Sequence, residues 1–199
     1  GECWGWTALG GGGEYYNTGK FDSMINFSFN GGNNWDGNYR TGYPQPSSWD
    51  GYLNINKNGD SDGNGNRDSV LTYISSHDTG LTRVGDMKAV GTGLVLLPGG
   101  VQIYYGDESN RQKAYTGCGD GDMMTRGDMN LPEAKTSATT AHWGKVGNFR
   151  KYNPAVGAGT GSGTKRTYTG KAGENKVAIG INGTSVDVSG LFTDGTLVY

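Results

Sequence analysis

Short apolar runs separated by long polar, glycine-rich stretches set the pattern of this chain. Val70-Leu71-Thr72-Tyr73-Ile74 is a run of strand length and predicts a buried β-strand. It leads into Ser75-Ser76-His77-Asp78, so an imidazole and a carboxylate emerge side by side just before Gly80. Upstream, Phe21–Phe29 shows partial alternation, with Ile25, Phe27 and Phe29 as its packing positions, and predicts a second strand. Downstream, Val84, Met87, Val90, Leu94 and Leu97 fall near one face of a predicted amphipathic helix over Thr82–Leu97. Gly85, Gly91 and Gly93 weaken that helix intrinsically, which leaves tertiary packing to hold it. Val101–Tyr105 predicts another short strand. Asp107 and Glu108 follow it and are expected to position loops or to pair with Arg111.

The second half of the chain changes period. Thr136–Lys151 predicts a helix capped by Thr136 or Ser137 and stopped before Pro154. Its apolar positions are Ala138, Ala141, Val146 and Phe149, and His142 and Trp143 are expected to pack it onto the rest. Asp120, Asp122, Arg126 and Asp128, in the loop before it, predict a structural web of ion pairs. Beyond Gly157 a glycine-rich turn region precedes β-type runs at Arg166–Thr169, Lys176–Asn182, Ser185–Val188 and Thr196–Tyr199. These predict a small antiparallel β domain over 157–199, after a first domain over 1–156. Residues 30–58 read as loop with one or two helical turns near Ser47–Leu53, where Trp35 and Trp49 pack or line a cleft. Gly10–Gly13 lacks the Lys-Ser/Thr and the preceding strand of a phosphate-binding loop.

Composition narrows the function classes. A formal charge of −2 and a pI near 5.6 offer no basic surface for nucleic acid or for an acidic membrane. No apolar run approaches the roughly 18 residues that a membrane span needs. The 38 glycines come with twelve tyrosines and five tryptophans, which predicts ordered loops carrying aromatics and not disorder. Cys3 and Cys118 permit one disulfide in an oxidising compartment, and free thiols fit equally well.

Asp60, Asp62, Asn64, Asn66 and Asp68 place oxygen ligands at alternate positions, with Gly65 in the sixth place. That spacing matches the start of a Ca²⁺ loop. The pattern departs at its twelfth place, where Leu71 replaces the expected bidentate glutamate. A solvated turn leading into the strand is the competing reading.

Four collinear segments carry a resemblance to a known family. Tyr73–Thr79 resembles the motif on the seventh barrel strand of the α-amylase family of glycoside hydrolases, and Pro98–Glu108 resembles its eighth strand and loop. Phe21–Phe27 resembles the sixth-strand region, and Gly1-Glu2-Cys3-Trp4 the end of the fifth. Thr140–Ala155 further resembles the last barrel helix of bacterial periplasmic or secreted members. The resemblance implies an α/β chain: the C-terminal half, strands five to eight, of a (β/α)8 barrel, followed by the small antiparallel β domain. At 199 residues the chain is shorter than the roughly 250 of a whole barrel, and its true start is expected upstream of Gly1.

The implied chemistry is retaining hydrolysis of α-1,4-glucosidic bonds in starch and maltooligosaccharides. Glu2 matches the general acid/base, and aromatic surroundings would raise its affinity for the proton it donates. Asp78 matches the group that stabilises the distorted ring. His77, Trp4, Trp6 and Tyr105 are the implied sugar contacts. The family's nucleophile lies on the fourth strand, and no segment here matches it, so the chain alone is expected to be inactive. The implied partners are an α-glucan and either the missing N-terminal half or a second copy. A non-catalytic glucan-binding or dimerising half-barrel is the alternative. The implied location is periplasmic or secreted.

Overall fold

The computed structural model describes residues 1–2, 19–27, 69–112 except 79 and 84, and 125–198 except 182. Three strands, β1 (Ser23–Asn26), β2 (Ser69–Thr72) and β3 (Gly100–Val101), form a parallel sheet in the order β1-β2-β3. Burial alternates along β1 and β2, so Met24 and Val70, and then Asn26 and Thr72, face the interior in register. The polar pair satisfies itself there: Asn26 Nδ2 donates to Thr72 Oγ1 at 3.2 Å. On the far side of β1, the Gly1 amine donates to Ser23 O and Gly1 O accepts from Ile25 N. Bonds to the two residues flanking Met24 are the signature of a parallel ladder, so Gly1 and Glu2 run alongside β1.

Helix α1 (Met87–Val95) lies at the centre, with Lys88 its one residue that is not buried. Such all-round burial explains why its apolar stripe is broad. It begins later than the periodicity predicts because Asp86 caps it, accepting from Lys88 N and Ala89 N at 3.0 Å each. The preceding Thr82 is spent instead on the end of β2, bonding Ser75 and Ile74. Gly91 has a packing reason: a Cβ there would lie 2.3 Å from the Trp143 indole. Trp143 Nε1 in turn donates to Met87 O at 2.8 Å.

Trp143 comes from α3 (Ala138–Tyr152), which follows the short α2 (Leu131–Thr136). Ser137 caps α3 through Thr139 N and Thr140 N, as the sequence pattern requires. The buried contact is narrower than predicted. Val146 and Phe149 pack partly against the core, whereas Ala138 and Ala141 face solvent. His142 packs as expected, its Nε2 lying 2.8 Å from Thr92 Oγ1.

A single turn, α4 (Ala155–Ala158), leads into an antiparallel sheet of β4 (Thr160–Gly161), β5 (Lys165–Gly170) and β6 (Gly173–Ala178). The runs at Ser185–Val188 and 196–198 are not strands. Ser189 N and Oγ both bond Asp187 Oδ1, which draws the first of them into a turn. The predicted strand Val101–Tyr105 likewise shrinks to β3, because Asp107 bonds Tyr104 through both backbone and carboxylate.

One hydrophobic core spans both sheets, running from Met24, Val70 and Ile74 through Leu94, Leu97 and Trp143 to Val177, Ile179 and Ile181. Two arginines fasten it. Arg166 is 0% exposed and donates to Leu96 O at 2.7 Å, Val156 O at 2.6 Å and Gly163 O at 3.1 Å. Arg150 donates to Val95 O at 2.9 Å, to Leu97 O at 2.6 Å and to Gly99 O. Together they satisfy carbonyls at and just beyond the C-terminal end of α1, where the helix dipole favours cations. Burial lowers the Arg150 pKa to about 10, which leaves it charged at neutral pH.

Candidate active site

The end of β2 is anchored before it reaches solvent. Tyr73, Ile74 and Ser75 are buried, and Ser75 Oγ accepts from Thr82 N at 2.9 Å. Ser76 and Gly80 then form an isolated antiparallel bridge, with Gly80 at φ +90°, a conformation that favours glycine. Asp78 N donates to Ser76 Oγ at 3.1 Å across this turn. His77 and Asp78 therefore stand at the tip of a short, internally bonded turn.

Asp78 Oδ1 lies 3.0 Å from His77 Nε2 and 3.5 Å from Arg126 Nη2. All three side chains are about half exposed: 53% for Asp78, 59% for His77 and 49% for Arg126. Solvent screening holds such pairs to about 0–1 kcal/mol, so they orient the carboxylate without locking it away. A carboxylate, an imidazole and a guanidinium that water reaches can also be reached by a ligand.

Behind this turn is a buried layer from the loop after β3. Asp107 is fully buried and its Oδ1 pairs with Arg83 Nη1 at 2.8 Å. The partner is thus Arg83, not the Arg111 that sequence proximity suggests. Burial pushes the Asp107 carboxyl above its ordinary range, while hydrogen bonds from Ser75 and Arg83 pull it back in part. Arg111 instead lies over the Tyr105 ring, 4.3 Å from its centroid, and donates through Nη2 to Thr125 O at 2.8 Å. Tyr104 packs on Tyr105 at 4.6 Å between centroids, and burial raises the pKa of its phenol.

Of the expected site residues, His77 and Asp78 are brought into contact. Tyr105 is 40% exposed, and its hydroxyl donates to Gly127 O at 2.9 Å, next to Arg126. Glu2 is exposed beside β1 and, among the described residues, outside that contact set. Trp4 and Trp6 lie outside the described residues, as do Asp60, Asp62, Asn64, Asn66 and Asp68. Among the described residues no group of three or more His, Cys, Asp or Glu could hold a metal ion. The sequence predicts Arg126 in a web of ion pairs with the aspartates around it, and its contact with Asp78 has no sequence signal. The 47 residues between them, which include α1 and β3, carry no pattern that would connect the two.

An open hollow of about 510 Å³ lies apart from His77 and Asp78, between the loop after β3 and α3. Ile103, Tyr105, Trp143, Gly144 and Gly147 are on its walls.

Parallel strands that deliver a carboxylate and an imidazole side by side at one end of the sheet form an arrangement that α/β folds use for binding and catalysis. Comparison with known proteins finds part of the chain similar to an α-amylase. Over 93 residues it is 50% identical to the periplasmic α-amylase of Escherichia coli (strain K12), a match spanning 46% of this chain and 14% of that protein. The crystal structure of α-amylase from H. orenii matches with a TM-score of 0.52 at 18% identity, covering 86% of this chain and 41% of that one. At that identity the second match speaks for the fold alone. No family model matches the chain.

Proposed function

We propose that this chain supplies the acid/base and ring-stabilising side of a retaining hydrolase site for α-1,4-glucosidic bonds in starch and maltooligosaccharides. The observation that carries the reading is the contact of Asp78 with His77 at the end of a parallel strand, in a chain with close sequence likeness to an α-amylase. On this reading β1, β2 and β3 correspond to strands six, seven and eight of a barrel and Gly1-Glu2 to the end of strand five; the parallel order β1-β2-β3 and the bonds of Gly1 to β1 support it. The antiparallel sheet corresponds to the domain after it, over 157–199.

In this mechanism Glu2 protonates the glycosidic oxygen as the C–O bond breaks, and a carboxylate about 5 Å away traps the sugar as a glycosyl ester. Glu2, now ionised, then takes a proton from the water that cleaves the ester, which restores both groups. Asp78 places negative charge near the ring as positive charge develops there, and His77 donates to a ring hydroxyl. Tyr105 is an aromatic wall for the sugar, the role that Trp4 and Trp6 take by family resemblance. The trapping carboxylate is supplied from outside this chain.

A polypeptide carrying the missing barrel strands is the partner that fits. β3 pairs on one side only among the described residues, Ile103 just beyond it is 47% exposed, and the apolar hollow adjoins it. Parallel strands are ordinarily covered on both faces and paired at their edges. A second copy is the competing occupant, which sedimentation of the purified chain would reveal as a stable dimer.

The alternating oxygens of Asp60, Asp62, Asn64, Asn66 and Asp68 would hold a Ca²⁺ ion. A periplasmic or secreted location fits the curated relative, and no helix among the described residues is long and apolar enough to cross a membrane.

Calorimetric titration with maltoheptaose tests the reading at its carrying observation. Asp78→Ala and His77→Ala are each expected to weaken binding roughly tenfold, the loss of one or two charge-assisted hydrogen bonds. Equal affinity in wild type and both variants would remove this turn from the site.

A further inference from the structure

We propose that Thr125 is a positioning residue for the site, fixing the His77–Asp78 turn to the loop after β3 and setting Arg126 against Asp78. The inference rests on the reading of that turn as the site, and extends it to residues outside the β2 segment.

Thr125 is 0% exposed, and its polar atoms bond in two directions. Its hydroxyl donates to His77 O at 2.9 Å, the backbone of the turn itself. Its carbonyl accepts from Arg111 Nη2 at 2.8 Å and from Tyr104 OH at 3.2 Å. One buried residue thus joins the strand-end turn to two side chains of the neighbouring loop. Arg111 is rigid enough to serve as the anchor. It is 2% exposed, its Nε donates to Tyr105 O at 3.3 Å and its guanidinium lies over the Tyr105 ring.

The geometry also explains how Arg126 meets Asp78. With the Thr125 side chain turned inward onto His77 O, the next residue leaves the core, and its Nη2 reaches Asp78 Oδ1 at 3.5 Å. An exposed arginine has many rotamers, and ordering it costs about 2 kcal/mol of conformational entropy. A surface ion pair worth about 0–1 kcal/mol does not offset that. Backbone placement by Thr125 brings the guanidinium within range of Asp78. Asp78, His77 and Arg126 then form one unit whose position the loop after β3 decides.

Hydrogen exchange of the 199-residue chain tests this with Thr125→Val, which keeps the shape and removes the hydroxyl, and Thr125→Ser, which retains it. The segment Tyr73–Leu81 is expected to exchange roughly fivefold faster in Thr125→Val, the opening that losing one buried hydrogen bond permits. α1 and α3 should exchange as in wild type, and Thr125→Ser should restore the turn. Three results overturn the proposal: an unchanged turn in Thr125→Val, equal acceleration throughout the chain, or a serine variant as loose as the valine one. Maltoheptaose titration of the same proteins separates the two claims. A chain that binds no glucan but loosens only at the turn retains Thr125 as the positioning residue and rejects the glucan site.

Discussion

Replacing Arg166 by alanine is expected to destabilise the chain by about 3–5 kcal/mol, enough to unfold a domain of ordinary stability. Arg166 is fully buried and donates to the backbone carbonyls of Leu96, Val156 and Gly163. Each carbonyl left without a donor in the interior carries a desolvation penalty of about 1–3 kcal/mol, partly relieved by entering water. The side-chain volume is lost as well. Lysine in its place keeps the charge but not the fork, so it reaches fewer of the three carbonyls and recovers only part of the loss. Because Leu96 follows α1 while Arg166 lies in β5, the defect should uncouple the antiparallel sheet from the helical layer. Urea unfolding of Arg166→Ala should show a lowered midpoint or a separate early transition of residues 160–181. A midpoint within the error of wild type would mean that these bonds contribute nothing net.

Asp107→Ala is expected to cost a similar amount, about 3–5 kcal/mol, by leaving the largely buried Arg83 without its counter-charge. Breaking such a pair costs more than the intact pair contributes. Desolvation is the largest influence on Asp107, and it raises the carboxyl above the 3.8 of an unperturbed aspartate. The sign follows from proton counting. Between 3.8 and the raised value the native state holds more protons than the unfolded one, so stability falls as pH rises through that window. The contribution of this titration is fully present below 3.8 and lost above the folded value. Asp107→Asn removes it, so the stability of wild type relative to the asparagine variant should decline with pH across the window and then level off. A difference that grows with pH there would show that Arg83 outweighs desolvation.

What the sequence made legible was whatever depends on local pattern. The strand leading to Ile74 declares itself by its apolar run, α3 by Ser137 and Pro154, and the His77–Asp78 turn by following that run and preceding Gly80. β1 is legible as a strand but not in its face: the spacing of Ile25 and Phe27 points inward, whereas Met24 and Asn26 are the buried positions. What it hid depends on partners without a sequence signature. A β-type run containing Arg166 gives no reason to bury a guanidinium, because the atoms that receive it are backbone carbonyls, present at every residue. Asp107 and Arg111 sit four apart, the spacing of a helical ion pair. That rule fails here because the segment forms turns, and the true partner, Arg83, is 24 residues away. Thr125 and Arg126 were obscured for the same reason: their relation to His77 and Asp78 spans 48 residues and exists only once β2 and the loop after β3 are side by side.

The most direct test of the account is hydrolysis of a chromogenic maltooligosaccharide, measured for the chain alone and after mixing with a polypeptide that supplies the nucleophile strand. The account predicts no turnover by the chain alone, turnover on mixing, and loss of that turnover in Glu2→Gln and Asp78→Asn. Hydrolysis at ordinary enzymatic rates by the chain alone, or turnover on mixing that survives both substitutions, would contradict it.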